Sequence, residues 1–242
     1  MANWSDPRTT FRNPGAEDAR GIAADAGLRS YMLKVYNYMM SGVLLTGIVA
    51  MLFVNSPAFQ PVMTSGLRYV FLLAPLALVM ALSFGINRMQ ASTAQALFWA
   101  YAAINGIALS PVIAFYTHVS IAETFFATAA AFGGLSLFGY TTKRDLSPIG
   151  TFLIMGVFGL VIAMIINMFM HSGPMALMID VIGILIFAGL TAYDTQKIKS
   201  MYFHVAGNGE AMAKTAVMGA LQLYLDFLNM FLFLLRLMGD RR

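Results

Sequence analysis

From Val35 onward the chain alternates between long apolar runs and short polar connections. A helix needs about 20 largely apolar residues to cross a bilayer. Seven stretches qualify: Val35–Val54, Tyr69–Ile86, Ala94–Tyr116, Ile121–Tyr140, Ile149–Met170, Met175–Tyr193 and Ala216–Leu237. Helix breakers fall between them, at Asn55 to Pro57, Ser147 and Pro148, Ser172 to Pro174, and Gly207 to Gly209. Tyr31, Tyr36, Trp99, Tyr116, Tyr140 and Tyr202 lie near the ends of the runs, at the headgroup level that suits amphipathic rings. The two-residue alternation of a membrane barrel is absent. The pattern therefore predicts an all-α polytopic membrane protein of about seven transmembrane helices.

Composition agrees. Of 242 residues, 59% are hydrophobic and 11% charged, against about 45–50% and 25% in soluble domains. With no cysteine, disulfides, thiol nucleophiles and thiolate metal sites are excluded. The net charge of +4 is not arranged as a basic stripe interleaved with aromatics, so nucleic acid is not an expected partner. The basic residues sit in loops. With a cytoplasmic N-terminus, eleven of them (Arg8, Arg12, Arg20, Arg29, Lys34, Arg88, Lys143, Arg144, Lys197, Lys199 and Lys214) face the cytoplasm, and only Arg68 lies opposite before the last run. That bias predicts an N-in arrangement. Arg236, Arg241 and Arg242 conflict with it, because seven crossings put them outside. A re-entrant last segment would bring them inside, and the sequence leaves both arrangements open. Residues 1–30 read as a polar, mobile tail in which Pro7, Pro14, Gly15 and Gly21 break any helix, with no secretory signal. Residues 31–239 form the membrane domain and 240–242 a basic end.

Charges inside such runs are costly, so they face protein or a wet cavity and are functional candidates. Asp226 stands about ten residues into the last run, with Gln222 and Asn229 on the same helical face. A polar stripe on an apolar helix must meet polar partners, water or ions. Asp194 ends the sixth run, three residues before Lys197, and an interfacial ion pair is its simpler reading. Asp180 opens that run, where a carboxylate suits the helix dipole. At about 100° and 1.5 Å per residue, Asp180 and Asp194 fall within roughly 40° of one another and about 21 Å apart. If Asp194 and Asp226 meet, they titrate as a unit sharing a proton, and when ionised they offer oxygen ligands to a hard cation such as Ca²⁺. Arg88, closing the second run, reads either as a topology determinant or as a bidentate partner for one aspartate.

Enzyme classes find little support. No Walker loop, dinucleotide fingerprint or HExxH pair is present, and His118, His171 and His204 are scattered. Ser136 follows Gly134 in a weak nucleophile pattern with no base placed for it. Two aspartates in late segments, the first preceded by Tyr193, resemble the layout of intramembrane aspartyl proteases, and a proton-sharing pair is what activates water. That family's second motif is Gly-x-Gly-Asp, whereas Leu223 to Asp226 reads Leu-Tyr-Leu-Asp. A non-enzymatic role without cofactors is expected.

GLTAYDTQKIK (Gly189–Lys199) resembles the signature of the Bax inhibitor family, the transmembrane Bax inhibitor motif proteins. GALQLYLDFLNMFLFLLRLMG (Gly219–Gly239) resembles that family's final helix, INGIALSPVIAFYT (Ile104–Thr117) its third segment, and DLSPIGTFLIMG (Asp145–Gly156) fits as well. The resemblance runs from about Tyr31 to Gly239. It implies seven helices with the last one central and wrapped by the others. It also implies a pH-sensitive Ca²⁺ leak in which Asp194 and Asp226 share a proton and latch to Arg88, the latch weakening at low pH. Some members carry an acidic residue in the second segment, and Tyr69–Ile86 has none. The sequence style points to a bacterial inner membrane. Two roles outside conduction remain as expectations: a membrane-embedded modulator docking on a quality-control protease or other membrane complex, and, more remotely, the aspartyl protease.

Overall fold

A run of apolar residues fixes where a helix crosses lipid but not where it ends, since polar residues of good helix propensity extend it into the interface. The computed structural model describes residues 14–241, with side chains from Asp25 onward. Its helices are α1 (Pro14–Val54), α2 (Phe59–Thr64), α3 (Leu67–Gly85), α4 (Ala91–Phe115), α5 (His118–Thr141), α6 (Ser147–Met170), α7 (Gly173–Val205) and α8 (Gly209–Met238). All except α2 are long and apolar enough to span a membrane. Among the described residues there is no strand, only one isolated bridge between Tyr116 and Arg241.

Three helices outrun the apolar stretches that announced them. The helix α1 begins at Pro14, so Pro14, Gly15 and Gly21 do not break it. Proline is tolerated at a first helical position, and an interior glycine costs only about 1 kcal/mol. Residues 1–13 of the expected tail lie outside the described residues. The helix α7 continues past Tyr193 to Val205, 33 residues in all, or about 50 Å. Asp194, Lys197 and Lys199 are therefore helical. The helix α8 starts seven residues before its apolar run, at Gly209, where Asn208 caps it by accepting from the Ala211 N–H at 3.0 Å.

The last helix is central. α8 packs against α1, α4, α5 and α7, and 67% of its apolar window is buried, against 6% for α3 and 11% for α6. α3 rests on α4, and α6 on α7, one layer further out. Their outward faces, with Phe84, Phe152, Phe158 and Phe169 exposed, carry the apolar surface that lipid covers.

The short connections are held by specific groups. His171 adopts a left-handed conformation (φ 50°) at the end of α6, and the Asn167 side chain accepts from the Ser172 N–H at 3.0 Å. Asp145 accepts from the Ser147 N–H at 2.9 Å, which holds its carboxyl below the usual range. Beyond α8, the Thr117 N–H donates to the Asp240 carbonyl (3.1 Å) and the Asp240 N–H to Ser120 Oγ (2.9 Å). The end of α8 is thus fastened to the α4–α5 turn. Counting crossings along α1, α3, α4, α5, α6, α7 and α8, that turn lies on the face opposite the α5–α6 connection. The last helix is unbroken over its 30 residues, with no turn back along its length.

Candidate functional site: a carboxylate pair on the central helix

Antiparallel packing of α7 on α8 builds one seam with three levels. At one end, Asp180 Oδ1 pairs with an Arg236 guanidinium nitrogen at 2.8 Å, and Arg236 also lies 4.6 Å over the Phe233 ring. In the middle, Phe187 and Phe233 stack with centroids 5.9 Å apart. Gly183 makes room for this ring, since a methyl group added there would sit 2.8 Å from it. At the other end, Asp194 and Asp226 meet.

The two carboxyl groups lie close enough to interact directly, and the Gln222 side chain lies beside Asp194. Asp194 is 2% exposed and Asp226 4%. Asp194 Oδ1 and Asp226 Oδ2 are sealed from solvent without a hydrogen-bond partner. Direct contact of two carboxyl groups is favourable only with a proton between them. Lys197, one turn beyond Asp194, is the basic side chain felt by both carboxyls, without closing an ion pair on either.

Each sequence candidate can now be placed. Asp194, Asp226 and Gln222 come together. Asn229 does not join them, because its amide donates back to the Leu225 carbonyl of its own helix at 2.8 Å. Asp180 is a salt-bridge partner of Arg236 rather than a dipole cap, and it stands apart from the pair. Arg88 stands apart from the pair: it is exposed in the turn after α3, three residues beyond the helix end, and pairs with no acidic side chain among the described residues. α3 packs on α4 and not on the α7–α8 seam, so the latch implied by resemblance is not made in this conformation.

Several residues that hold the pair escaped sequence reasoning. Gln196 accepts from the Leu146 N–H at 2.9 Å and donates to the Arg144 carbonyl at 2.8 Å, tying the α5–α6 connection to α7. Lys199 donates to the Tyr140 carbonyl at 2.8 Å. Gly139 of α5 lies against the Ala192 carbonyl and Gly150 of α6 against the Tyr193 ring, so close that a methyl group at either would clash. On the opposite face of α8, two residues before Asp226, the Tyr224 hydroxyl meets Thr46 Oγ1 at 2.6 Å and accepts from the Asn105 amide at 3.0 Å. These buried polar contacts anchor α8 to α1 and α4 while Asp226 faces α7. Their only sequence signal was a polar residue within each apolar run.

The fold and site define a multi-pass membrane protein of seven spanning helices, with a buried carboxylate pair where the central helix meets its neighbour. A family profile described as inhibitor of apoptosis-promoting Bax1 matches residues 28–242. A protein of Rickettsia prowazekii is 47% identical over 219 residues, covering 90% of this chain and 92% of its own. The inner membrane protein YbhL of Escherichia coli K12 is 43% identical over 220 residues, covering 90% and 94%. A membrane protein of Streptococcus pyogenes is 37% identical over 224 residues, covering 89% and 95%. The chain belongs to the Bax inhibitor family.

Proposed function

We propose that this protein is a passive, proton-gated cation pathway of a bacterial inner membrane, with Ca²⁺ as the permeant ion and the Asp194–Asp226 pair as the gate. The observation that carries the reading is the meeting of two carboxyl groups inside the helical core, each with one sealed and unpartnered oxygen. A charge that changes by one proton at such a place biases a packed seam between two arrangements. Two carboxylates and the Gln222 amide supply fewer oxygens than the six to eight of a resident Ca²⁺ site. Among the described residues no group of three acidic or histidine side chains gathers anywhere. A weak, transient site of this kind suits passage rather than storage. The basic bias of eleven against one favours a cytoplasmic N-terminus, and the inner-membrane name of the Escherichia coli relative favours that membrane.

Neither Asp194 nor Asp226 lines the α1–α5 or α1–α4 cavities, and on our reading this conformation is the closed one. Added protons neutralise the pair, release its attraction to Lys197 and loosen the α7–α8 seam, so flux rises as pH falls. Ca²⁺ flux into proteoliposomes across a pH series tests this. Wild type responds to pH, and Asp194→Asn and Asp226→Asn lose the response. Unchanged pH dependence in both variants overturns the gate.

A further inference from the structure

α1 and α5 both pack on α8 but scarcely touch each other. The gap between them is a groove open to the side. Its cytoplasmic part is a cavity of about 710 Å³ walled by Met32 and Tyr36 of α1 and by Ala129 and Gly133 of α5, with Phe227 of α8 as its floor. A second cavity of about 320 Å³ continues it along α8 toward Met51 and His118, and the two share Val43, Leu44, Phe125 and Phe227. From Arg29 to Met51 the groove follows 22 residues of α1, or about 33 Å, close to the roughly 30 Å of a bilayer's hydrocarbon.

The apolar trough ends in a polar, positive mouth. Arg29 lines the trough and also an adjoining crevice of about 670 Å³ between α1 and α4, where Lys34, Ser30 and Asn37 gather. On the far wall Tyr140 lines the mouth, and Lys199 lies 4.8 Å over its ring. Asp25, one turn before Arg29, is the acidic residue nearest along α1, so the cations outnumber it. An apolar channel of bilayer length capped by cations and hydroxyls has the chemistry of a phospholipid with a negative headgroup, because juxtamembrane Lys and Arg attract anionic lipid.

We propose that the α1–α5 groove is a binding site for one anionic glycerophospholipid, with an acyl chain along Phe227 and the phosphate between Arg29 and Lys34. The small side chains of Ala129 and Gly133 leave the space the chain fills; a methyl group added at Gly133 would meet nothing. Both carboxylates lie just behind the trough. Phe227 follows Asp226, and Ser136, also lining it, accepts from Thr195 at 3.3 Å beside Asp194. A bound acyl chain closes the side of the seam that α1 and α5 leave open. This inference stands whether or not the pair conducts ions.

The test is native mass spectrometry of the purified full chain equilibrated with equimolar phosphatidylglycerol and phosphatidylcholine. Wild type retains one phosphatidylglycerol with a preference of roughly tenfold or more, the effect of one to two juxtamembrane cations, and inorganic phosphate does not displace it. Arg29→Ala with Lys34→Ala brings the preference toward one. Ala129→Leu with Gly133→Leu fills the trough and lowers retention while leaving the cations in place. Equal retention of the two lipids by wild type, or a preference untouched by both double variants, overturns the site.

Discussion

At the residue scale, the α7–α8 seam uses its three aspartates in two different ways. Asp194 and Asp226 are joined to each other, whereas Asp180 is neutralised by Arg236. The second pair is partly wet, with 43% of the arginine side chain exposed against 12% of the aspartate's, so its worth is discounted toward that of a surface pair. Removing Asp180 or Arg236 by alanine substitution is expected to cost about 1 kcal/mol, a fall of roughly 2–4 °C in melting temperature for a chain of this size. The reversed pair, Asp180→Arg with Arg236→Asp, recovers part of that loss. Thermal unfolding in detergent through a double-mutant cycle isolates the coupling; additive losses with no recovery would remove the ion pair from the account. Asp226 was legible in sequence because a carboxylate deep in an apolar run demands a partner. Spacing alone did not name the partner, since Lys197 offered Asp194 a local answer; the family resemblance named it, and the packing of α7 on α8 brings the two carboxyls together. Arg88 was ambiguous for the complementary reason: an arginine at a run's end reads the same whether it snorkels or pairs.

At the scale of elements, the seven crossings were readable because each needs a length of apolar residues that little else in a chain provides. Their ends were not. Gln196, Lys197 and Lys199 end the apolar pattern but favour helix; Gln196 fastens α7 to the α5–α6 connection and Lys199 fastens it to the end of α5. A glycine within an apolar run reads the same in sequence whether or not a neighbour touches it. Gly139 and Gly133 separate the cases. Gly139→Ala forces α5 off the Ala192 carbonyl, an overpacking cost of about 1–3 kcal/mol. Gly133→Ala meets open space and gains up to about 1 kcal/mol of helix propensity. Opposite shifts in melting temperature are therefore expected from the same substitution at two positions less than two turns apart on one helix. Equal shifts would contradict the close approach of α5 and α7 at the signature segment.

At the scale of the whole molecule, the position of the last helix decides both the site and the topology. A helix surrounded by four others can carry Gln222, Asp226 and Asn229 through the membrane because protein, not lipid, surrounds them. That removes the motive for a re-entrant turn. It also sets Arg236 and Arg241 on the face opposite the α5–α6 connection, against the positive-inside bias. The conflict is eased locally: Arg236 is paired with Asp180, and Arg241 lies 5.3 Å over the Phe115 ring. The strand-like clasp of residues 240 and 241 on the α4–α5 turn holds that end in place. Because the chain has no cysteine, single thiols report sidedness without background. Lys143→Cys and Asp240→Cys, each exposed, are expected to react with a membrane-impermeant maleimide from opposite faces of sealed vesicles. With the N-terminus inside, position 143 reacts only in inverted vesicles and position 240 only in right-side-out ones. Reaction of both from one face would mean that α8 turns back within the bilayer, and the central-helix architecture would have to be abandoned with it.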